Sequence, residues 1–265
     1  MAKTTKSRGT KKPKPKATRP PRLQLAMPLF ATEEGPAGLL VVAAWARLFP
    51  EQPPLVVERA GGTDTYRIGE RSVNVGRLPL PVPTAEVVNA ADISGMWEGS
   101  TDAVRDHASH AIVASVDEDR VRAAWDVSRV SAAMLEAGAG VALYWGASRQ
   151  AHPPDVVLDL ACVDAPAPVP LWVGVTVSRE QPGRHSMATH GLEAFGHLEF
   201  EVLDSTMDLG ELRTTMLNLA LYVLENGPVL RDGDTFGPTA DERWAIRHRK
   251  SKLVPKRRAI VLGIA

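Results

Sequence analysis

Polar and apolar residues alternate most regularly over residues 197–202. One side of the pattern is polar and the other is apolar: His197, Glu199 and Glu201 against Leu198, Phe200 and Val202. A period of two residues is typical of a half-buried strand. The pattern therefore predicts a strand that places one face in a core and lines up an imidazole and two carboxylates on the other face.

A helical period is clear in the middle of the chain. After Asp117–Asp119, one helical face carries Val121, Trp125, Ser128, Ala132 and Leu135, and the pattern stops at Gly138. The helix lies between two apolar strands, His110–Val116 and Val141–Trp145. Since parallel strands need a crossover of this kind, the two strands are predicted to be parallel neighbours.

A second helix is predicted between Ser205 and Gly227. Its apolar face consists of Leu209, Leu212, Met216, Leu219 and Val223. Ser205 and Asp208 have the spacing of a capping box, with aspartate in place of the usual glutamate. Gly227-Pro228 is a stop signal for this helix.

The remaining elements are shorter. Strands are predicted over Leu23–Phe30, Leu55–Glu58, Thr65–Ile68, Ser72–Val75, Leu171–Ser178, Val229–Phe236, Trp244–His248 and Arg258–Ile264, and further helices over 33–49 and 84–91, the latter with Thr84 as its cap. Strand–helix–strand units recur, but strands and helices do not alternate strictly as in a parallel α/β fold. Several consecutive strand pairs have the spacing of hairpins. The expected fold class is α+β: a mixed, largely antiparallel sheet with helices on one face, arranged as repeated ferredoxin-like halves.

Charge is distributed unevenly along the chain. Residues 1–22 carry nine Lys or Arg and no acid, and residues 243–258 carry eight more and no acid. The rest holds 14 basic residues against all 31 acidic ones, a formal charge of −17. Such a body repels phosphate backbones, so a nucleic acid is expected as a partner only through the basic tail.

Composition also predicts the domain organisation. Residues 1–22 have no large apolar residue after Met1 and are expected to form a disordered basic tail, which leaves 23–265 as one α+β domain with sub-halves 23–95 and 96–265. A single cysteine, Cys162, excludes an internal disulfide and fits a reducing compartment. No apolar run approaches the roughly 20 residues of a membrane helix. These features predict a cytoplasmic protein without a membrane span.

The polar strand face is the strongest candidate site. Histidine and carboxylate are ligands of divalent metals, and residues two apart on a strand, about 6.6 Å, can reach one ion. His197, Glu199 and Glu201 would supply this site, with His185 or His190 completing the shell. The alternative is a solvated strand face whose charges point to water. No other cofactor is expected, and no HExxH spacing supports the metal.

The sequence gives little support to nucleophilic catalysis or to phosphate binding. The sequence has no G-x-S-x-G motif and no glycine-rich phosphate loop. His107 and His110 point to opposite faces of an extended chain, so structural roles are predicted for both. Trp97, beside Met96 in a glycine-flanked loop, is the candidate for an exposed anchor at a partner surface.

Several motifs together resemble one protein family. They are Trp97, His107-Ala-Ser-His110, Val141-Ala-Leu-Tyr-Trp-Gly-Ala147, Gly191-Leu-Glu-Ala-Phe-Gly196 with Glu199 and Glu201, Leu217–Gly227 and Asp232-Gly-Asp-Thr235. In their order and spacing, from Leu23 to Ala265, they resemble the uncharacterised bacterial family called domain of unknown function 4261. After Phe-Gly this chain has His197-Leu198 where the family tends to have an apolar residue and proline, which argues against a shared catalytic role for His197.

The resemblance implies a bacterial, non-secreted protein with a binding or immunity role, because such domains tend to lie near toxin genes. Together with the acidic body and the missing catalytic motifs, it leads to a specific expectation. The chain is expected to be a non-enzymatic cytoplasmic domain that binds another protein, as a toxin-neutralising (immunity) or secretion-associated accessory protein. The alternative is a metal-assisted hydrolase that uses the His/Glu strand face.

Overall fold

A computed structural model describes residues 23–97, 101–237 and 243–264, without the side chains of residues 179–181. The predicted disordered tail, residues 1–22, lies outside these ranges. The strands are β1 Gln24–Phe30, β2 Leu55–Ala60, β3 Thr63–Ile68, β4 Arg71–Leu78, β5 Ser109–Ser115, β6 Gly140–Trp145, β7 Gln150–His152, β8 Gly174–Gln181, β9 Arg184–His190, β10 Glu199–Ser205, β11 Thr235–Phe236, β12 Trp244–Lys250 and β13 Arg258–Leu262. The helices are α1 Gly38–Leu48, α2 Thr84–Ser94, α3 Asp102–Arg105, α4 Arg120–Ala137, α5 Pro154–Cys162, α6 Val169–Trp172, α7 Leu192–Phe195 and α8 Leu209–Asn226.

The fold is α+β, as predicted, but it contains two sheets. Sheet 1 has the strand order β2-β3-β4-β5-β1-β6-β7, and all its pairs are antiparallel. Sheet 2 has the order β11-β12-β13-β10-β9-β8, in which only β10 and β13 run parallel. Sheet 2 does not repeat the order of sheet 1, so the prediction of repeated ferredoxin-like halves is not confirmed.

Strands β5 and β6 run in the same direction, as predicted, but they are not neighbours. Strand β1 lies between them and pairs antiparallel with both. The physical reason lies in β1 itself, which buries apolar side chains on both faces: Ala26 and Phe30 on one, Leu29 on the other. A strand that is apolar on both faces is most stable at the centre of a sheet.

Helices cover both faces of sheet 1, whereas the sequence predicts them on one. Helices α1 and α4 pack on the face that carries Phe30 and Trp145. Helix α2 packs on the opposite face through Val87, Ala90 and Ala91, beside Leu29 and Tyr144. One large buried cluster contains residues of sheet 1, sheet 2, α4 and α8. The predicted division at residue 23, with sub-halves 23–95 and 96–265, stays a prediction.

Helix caps explain where the two long helices begin. Asp119 accepts a hydrogen bond from Arg122 N at the start of α4. Asp208 accepts from Gly210 N and Glu211 N at the start of α8, so Asp208 is the cap that the sequence assigns to Ser205, which instead ends β10. Helix α2 begins at Thr84 without a side-chain cap, contrary to the prediction for Thr84.

Both histidines with predicted structural roles are buried and hydrogen-bonded. His107 Nε2 accepts from Val82 N at 2.9 Å, and its Nδ1 lies 2.7 Å from Val104 O. His110 Nδ1 lies 2.8 Å from Leu80 O. The two side chains therefore hold the connector after β4 against the start of β5. Over the part of the chain that the structure describes, no helix combines the length and the apolar content needed to cross a membrane.

Candidate functional site

Strand β10 begins at Glu199, two residues later than the alternation predicts. His197 lies in the preceding turn, where its N–H donates to Leu192 O. Gly196 precedes it at φ 96°, a left-handed conformation that favours glycine and ends the short helix α7. His197 is half-buried and does not share a strand face with the two glutamates.

The carboxylate of Glu199 is buried and holds the loop that follows β9. It accepts hydrogen bonds from Thr189 Oγ1 at 2.8 Å, Gly191 N at 2.9 Å and Glu193 N at 3.0 Å. Burial raises the pKa of Glu199, and these donors oppose that effect. Gly191 is required in this loop because its φ is 123° and an added Cβ would lie 2.2 Å from Trp172 O.

The carboxylate of Glu201 is fully buried and holds a second loop, between β12 and β13. It accepts from Ser251 Oγ at 3.2 Å, Lys252 N at 2.8 Å and Leu253 N at 2.6 Å. The alternative of a solvated face is therefore wrong for both glutamates. The reason is that β10 is an interior strand of sheet 2, between β13 and β9, and that residues 199–202 are buried on both of its faces.

The five residues of the predicted metal site do not form one cluster. His185 pairs with Ser205 at the opposite end of β10 from His197. His190 lies at the end of β9 and its Nε2 is 2.9 Å from Thr176 Oγ1. Among the described residues, no group of three or more His, Cys, Asp or Glu is arranged to hold a metal ion.

The two braced loops form walls of a small cavity, which we call the Arg149 cavity. Its volume is about 260 Å³, and its lining consists of Gly146, Ala147, Arg149, His190, Gly191, Glu193, Ala194, Glu199, Val254 and Arg257. The loop between β6 and β7 supplies the third wall. Glu199 and Glu201 therefore build this site without presenting free carboxylates to it.

Arg149 is the most unusual residue of the cavity. Its φ is 57°, in the left-handed region that a non-glycine residue rarely adopts. Within the described residues its exposed guanidinium forms no hydrogen bond and no ion pair. Strained backbone that persists in a structure often marks a functional position.

The opposite wall holds a second arginine and a neutral imidazole. Arg257 forms an ion pair with Glu193, and both side chains are partly exposed. Burial, together with the positive charges of Arg149 and Arg257, lowers the pKa of His190 to about 4. At neutral pH the cavity thus presents one unpaired guanidinium, one paired guanidinium and an uncharged imidazole.

Trp97 and Met96 are placed differently from the prediction. The indole Nε1 of Trp97 donates to Ala151 O at 2.8 Å, and the ring packs against the apolar cluster under α2. Met96 is half-buried, and its N–H donates to Ser94 Oγ. Trp97 therefore fastens the end of α2 to β7, and the structure does not present it as an exposed anchor.

A second polar cleft, on α4, is closed by its own ion pairs. Arg71 binds Asp126 through two hydrogen bonds, and Arg129 donates to Asp164 Oδ1 at 2.8 Å. The guanidinium of Arg129 also lies over Trp125, 4.6 Å from the ring centroid. These contacts tie α4 to β4 and to the connector after α5, so the cleft offers fewer free groups than the Arg149 cavity.

His190, Glu199 and Glu201 are candidates from the sequence alone, whereas Arg149 and Arg257 are not. Arg149 lies in a four-residue hairpin loop where glycine or asparagine is the usual left-handed residue, so its side chain carries no motif. Arg257 belongs to a basic run that reads as a solvated loop. Only the packing of three loops brings these side chains together.

These features define a two-sheet α+β fold with a small cavity braced by buried carboxylates. Residues 188–263 match the family model of the domain of unknown function 4261. The match runs from β9 to β13 and includes seven of the ten residues that line the Arg149 cavity. The resemblance is thus confirmed over this stretch and stays a prediction for residues 23–187. No curated protein and no solved structure matches the chain.

Proposed function

We propose that this chain binds another protein, through an apolar helix face with an acidic rim, and that it acts by binding rather than by catalysis. The observation that carries the proposal is the outer face of α1. Leu39 is 77% exposed and Leu40 is 55% exposed. Neighbouring exposed apolar side chains of this kind are typical of interaction surfaces.

Unpaired acids flank this helix at both ends. Glu33 and Glu34 precede α1, Glu51 follows it, and all three are exposed. None of these carboxylates forms an ion pair with another described residue. The surface therefore favours a partner that combines apolar side chains with positive charge, and the acidic body would accelerate its approach.

The proposed partner is a basic bacterial toxin, which this chain would neutralise in the cytoplasm as an immunity protein. Equally, the partner is a basic effector awaiting secretion, which the chain would assist as an accessory protein. This part of the proposal rests on the family resemblance and on the formal charge of −17 outside the two basic segments. The hydrolase alternative gains no support from the geometry, because the carboxylates of Glu199 and Glu201 accept hydrogen bonds from loop donors.

The test is a titration of this chain with the purified products of the genes that flank its own, followed by calorimetry at low and high salt. Binding of a basic product that weakens with salt supports the proposal. Leu39→Asp should weaken this binding by at least about tenfold, since truncating a buried apolar contact is worth roughly 1.5–3 kcal/mol.

Val229→Asp is the matched control, because Val229 is 41% exposed but lies beside strand β11 of sheet 2. This variant should bind as the unmodified chain does. If Leu39→Asp and the unmodified chain bind the partner with equal affinity, α1 is not the binding face. Absence of any binding by the flanking products at low salt would overturn the proposed function.

A further inference from the structure

The Arg149 cavity contains a cation without a counterion. The guanidinium of Arg149 has no acidic partner among the described residues, although acids outnumber bases in the body of the chain. The residue is also held at φ 57°, where glycine would fit without strain. An arginine at this position is therefore disfavoured by the backbone, and its guanidinium forms no hydrogen bond or ion pair with the described residues that would compensate.

The existing carboxylates do not satisfy Arg149. Glu199 lines the cavity, but its oxygens already accept from Thr189, Gly191 and Glu193. Glu193 is occupied by Arg257. The ion pair of Glu193 and Arg257 also shows which chemistry the cavity accommodates, namely a carboxylate on a guanidinium.

We propose that the Arg149 cavity binds the carboxylate group of a small molecule, with Arg149 as its principal cation and the imidazole of His190 as a neighbouring polar contact. A guanidinium offers two parallel N–H donors that match the two oxygens of a carboxylate. The site lies in the loops of β6, β9 and β13, away from α1, so it is independent of the proposed protein-binding function.

Donor geometry and volume restrict the ligand. Because Glu193 is paired with Arg257, Arg149 is the guanidinium of the cavity that offers its two parallel donors to a ligand, and these donors match the planar fork of a carboxylate better than a tetrahedral phosphate. A volume of about 260 Å³ lies below the range of roughly 300–1,000 Å³ that is typical of drug-sized ligands. The ligand is therefore a short mono- or dicarboxylate with few heavy atoms.

The probes are acetate and succinate, added at constant ionic strength to the full chain, with inorganic phosphate as the competing oxyanion. Binding is followed by NMR at the arginine Nε–Hε signals. Saturable shifts of the Arg149 signal, with a dissociation constant on the order of 1 mM for succinate, are expected.

Two variants test the assignment to Arg149. Arg149→Gly removes the guanidinium and relieves the left-handed backbone, so it should remain folded and weaken succinate binding at least about tenfold. With Arg149 gone, binding in this variant is read at the Arg257 signal. Asp204→Gly is the matched control, because Asp204 is also a non-glycine residue at positive φ, 55°, and lies at the end of β10 away from the cavity. Asp204→Gly should bind succinate as the unmodified chain does.

Three results would overturn the proposal. The first is the absence of a saturable shift with acetate and with succinate. The second is unchanged succinate binding by Arg149→Gly, which would show that Arg149 is not the principal cation. The third is tighter binding of inorganic phosphate than of succinate, which would contradict the carboxylate assignment. Loss of partner binding by Leu39→Asp leaves all three measurements unaffected, so the two proposals fail separately.

Discussion

The carboxylate of Glu201 has no exposed surface, yet it lies in the most regularly alternating stretch of the sequence. Alternation predicts which residues share a strand face, but it does not predict whether water or another loop covers that face. Glu201 accepts hydrogen bonds from residues 50 to 52 positions later in the chain. The local sequence pattern does not predict such distant partners.

Glu201→Gln should destabilise the protein by about 2 kcal/mol, because an amide keeps one acceptor oxygen and faces the remaining loop N–H groups with a second donor. Urea denaturation of both proteins measures the difference. The matched control is Glu58→Gln, in the exposed pair with Arg67, which should leave the unfolding midpoint nearly unchanged. Equal effects of the two substitutions would contradict the assigned role of Glu201.

His152 is the most deeply buried titratable group with no partner in the described structure. It is fully buried on β7, and neither ring nitrogen has a hydrogen-bond partner. Burial, together with the positive charge of Arg213, lowers the pKa of His152 to about 3. The folded protein therefore keeps this imidazole neutral.

Acidification should destabilise the fold through His152. Its folded pKa lies below the unfolded value of about 6.5, so the unfolded state binds one more proton between pH 6.5 and 3. The free energy of unfolding should fall in this window by about 1.4 kcal/mol per pH unit from this residue alone. Denaturation at several pH values measures the slope.

His152→Leu should remove this contribution and reduce the slope of the unfolding free energy against pH by the amount that one proton contributes. Gln150→Leu is the matched control, since Gln150 is a buried polar residue two positions earlier on the same strand face and does not titrate. Its slope should equal that of the unmodified protein. An unchanged slope in His152→Leu would show that other groups account for the acid sensitivity.

At the scale of elements, Ser205 and Asp208 both lie near the start of α8 but have different structural roles. Ser205 ends β10 and its Oγ accepts from Met207 N, whereas Asp208 accepts from Gly210 N and Glu211 N. Both residue types are good caps, so spacing alone leaves the choice open. The burial of Ser205 inside sheet 2 decides it.

Asp208→Ala should destabilise the protein by about 1 kcal/mol, because two N–H groups at the helix start lose their acceptor. Thermal unfolding followed by circular dichroism measures the loss. Asp208→Asn keeps a capping oxygen and should retain most of the stability. An alanine variant as stable as the asparagine variant would show that the cap contributes little here.

Element prediction succeeds where the apolar period is long and fails where side chains compete with the backbone. Helices α4 and α8 and most strands lie close to their predicted positions. The predicted strand Val229–Phe236 is reduced to Thr235–Phe236. Asp234 accepts from Arg231 N, and Asp232 accepts from His248 N, so two aspartates form a turn where a longer strand would need free backbone groups.

At the scale of the whole molecule, strand order and the placement of charge come from packing. The insertion of β1 between β5 and β6 turns two predicted neighbours into separated parallel strands. Basic residues gather at the β12–β13 end of sheet 2, where Lys250 lies directly opposite Arg258. The exposed apolar face of α1 lies at the other sheet, beside edge strand β2.

The sequence by itself determines the α+β class, the two long helices, the uneven charge and the resemblance that the family match confirms over residues 188–263. These properties depend on composition and on periods of two or 3.6 residues, which are local. Tertiary structure alone decides that Glu199 and Glu201 are buried loop anchors and that Arg149 and Arg257 share one cavity. Glu201 and Lys252 lie 51 positions apart, and Arg149 and Arg257 come from separate loops, so only the packing of the sheets and loops brings these groups together.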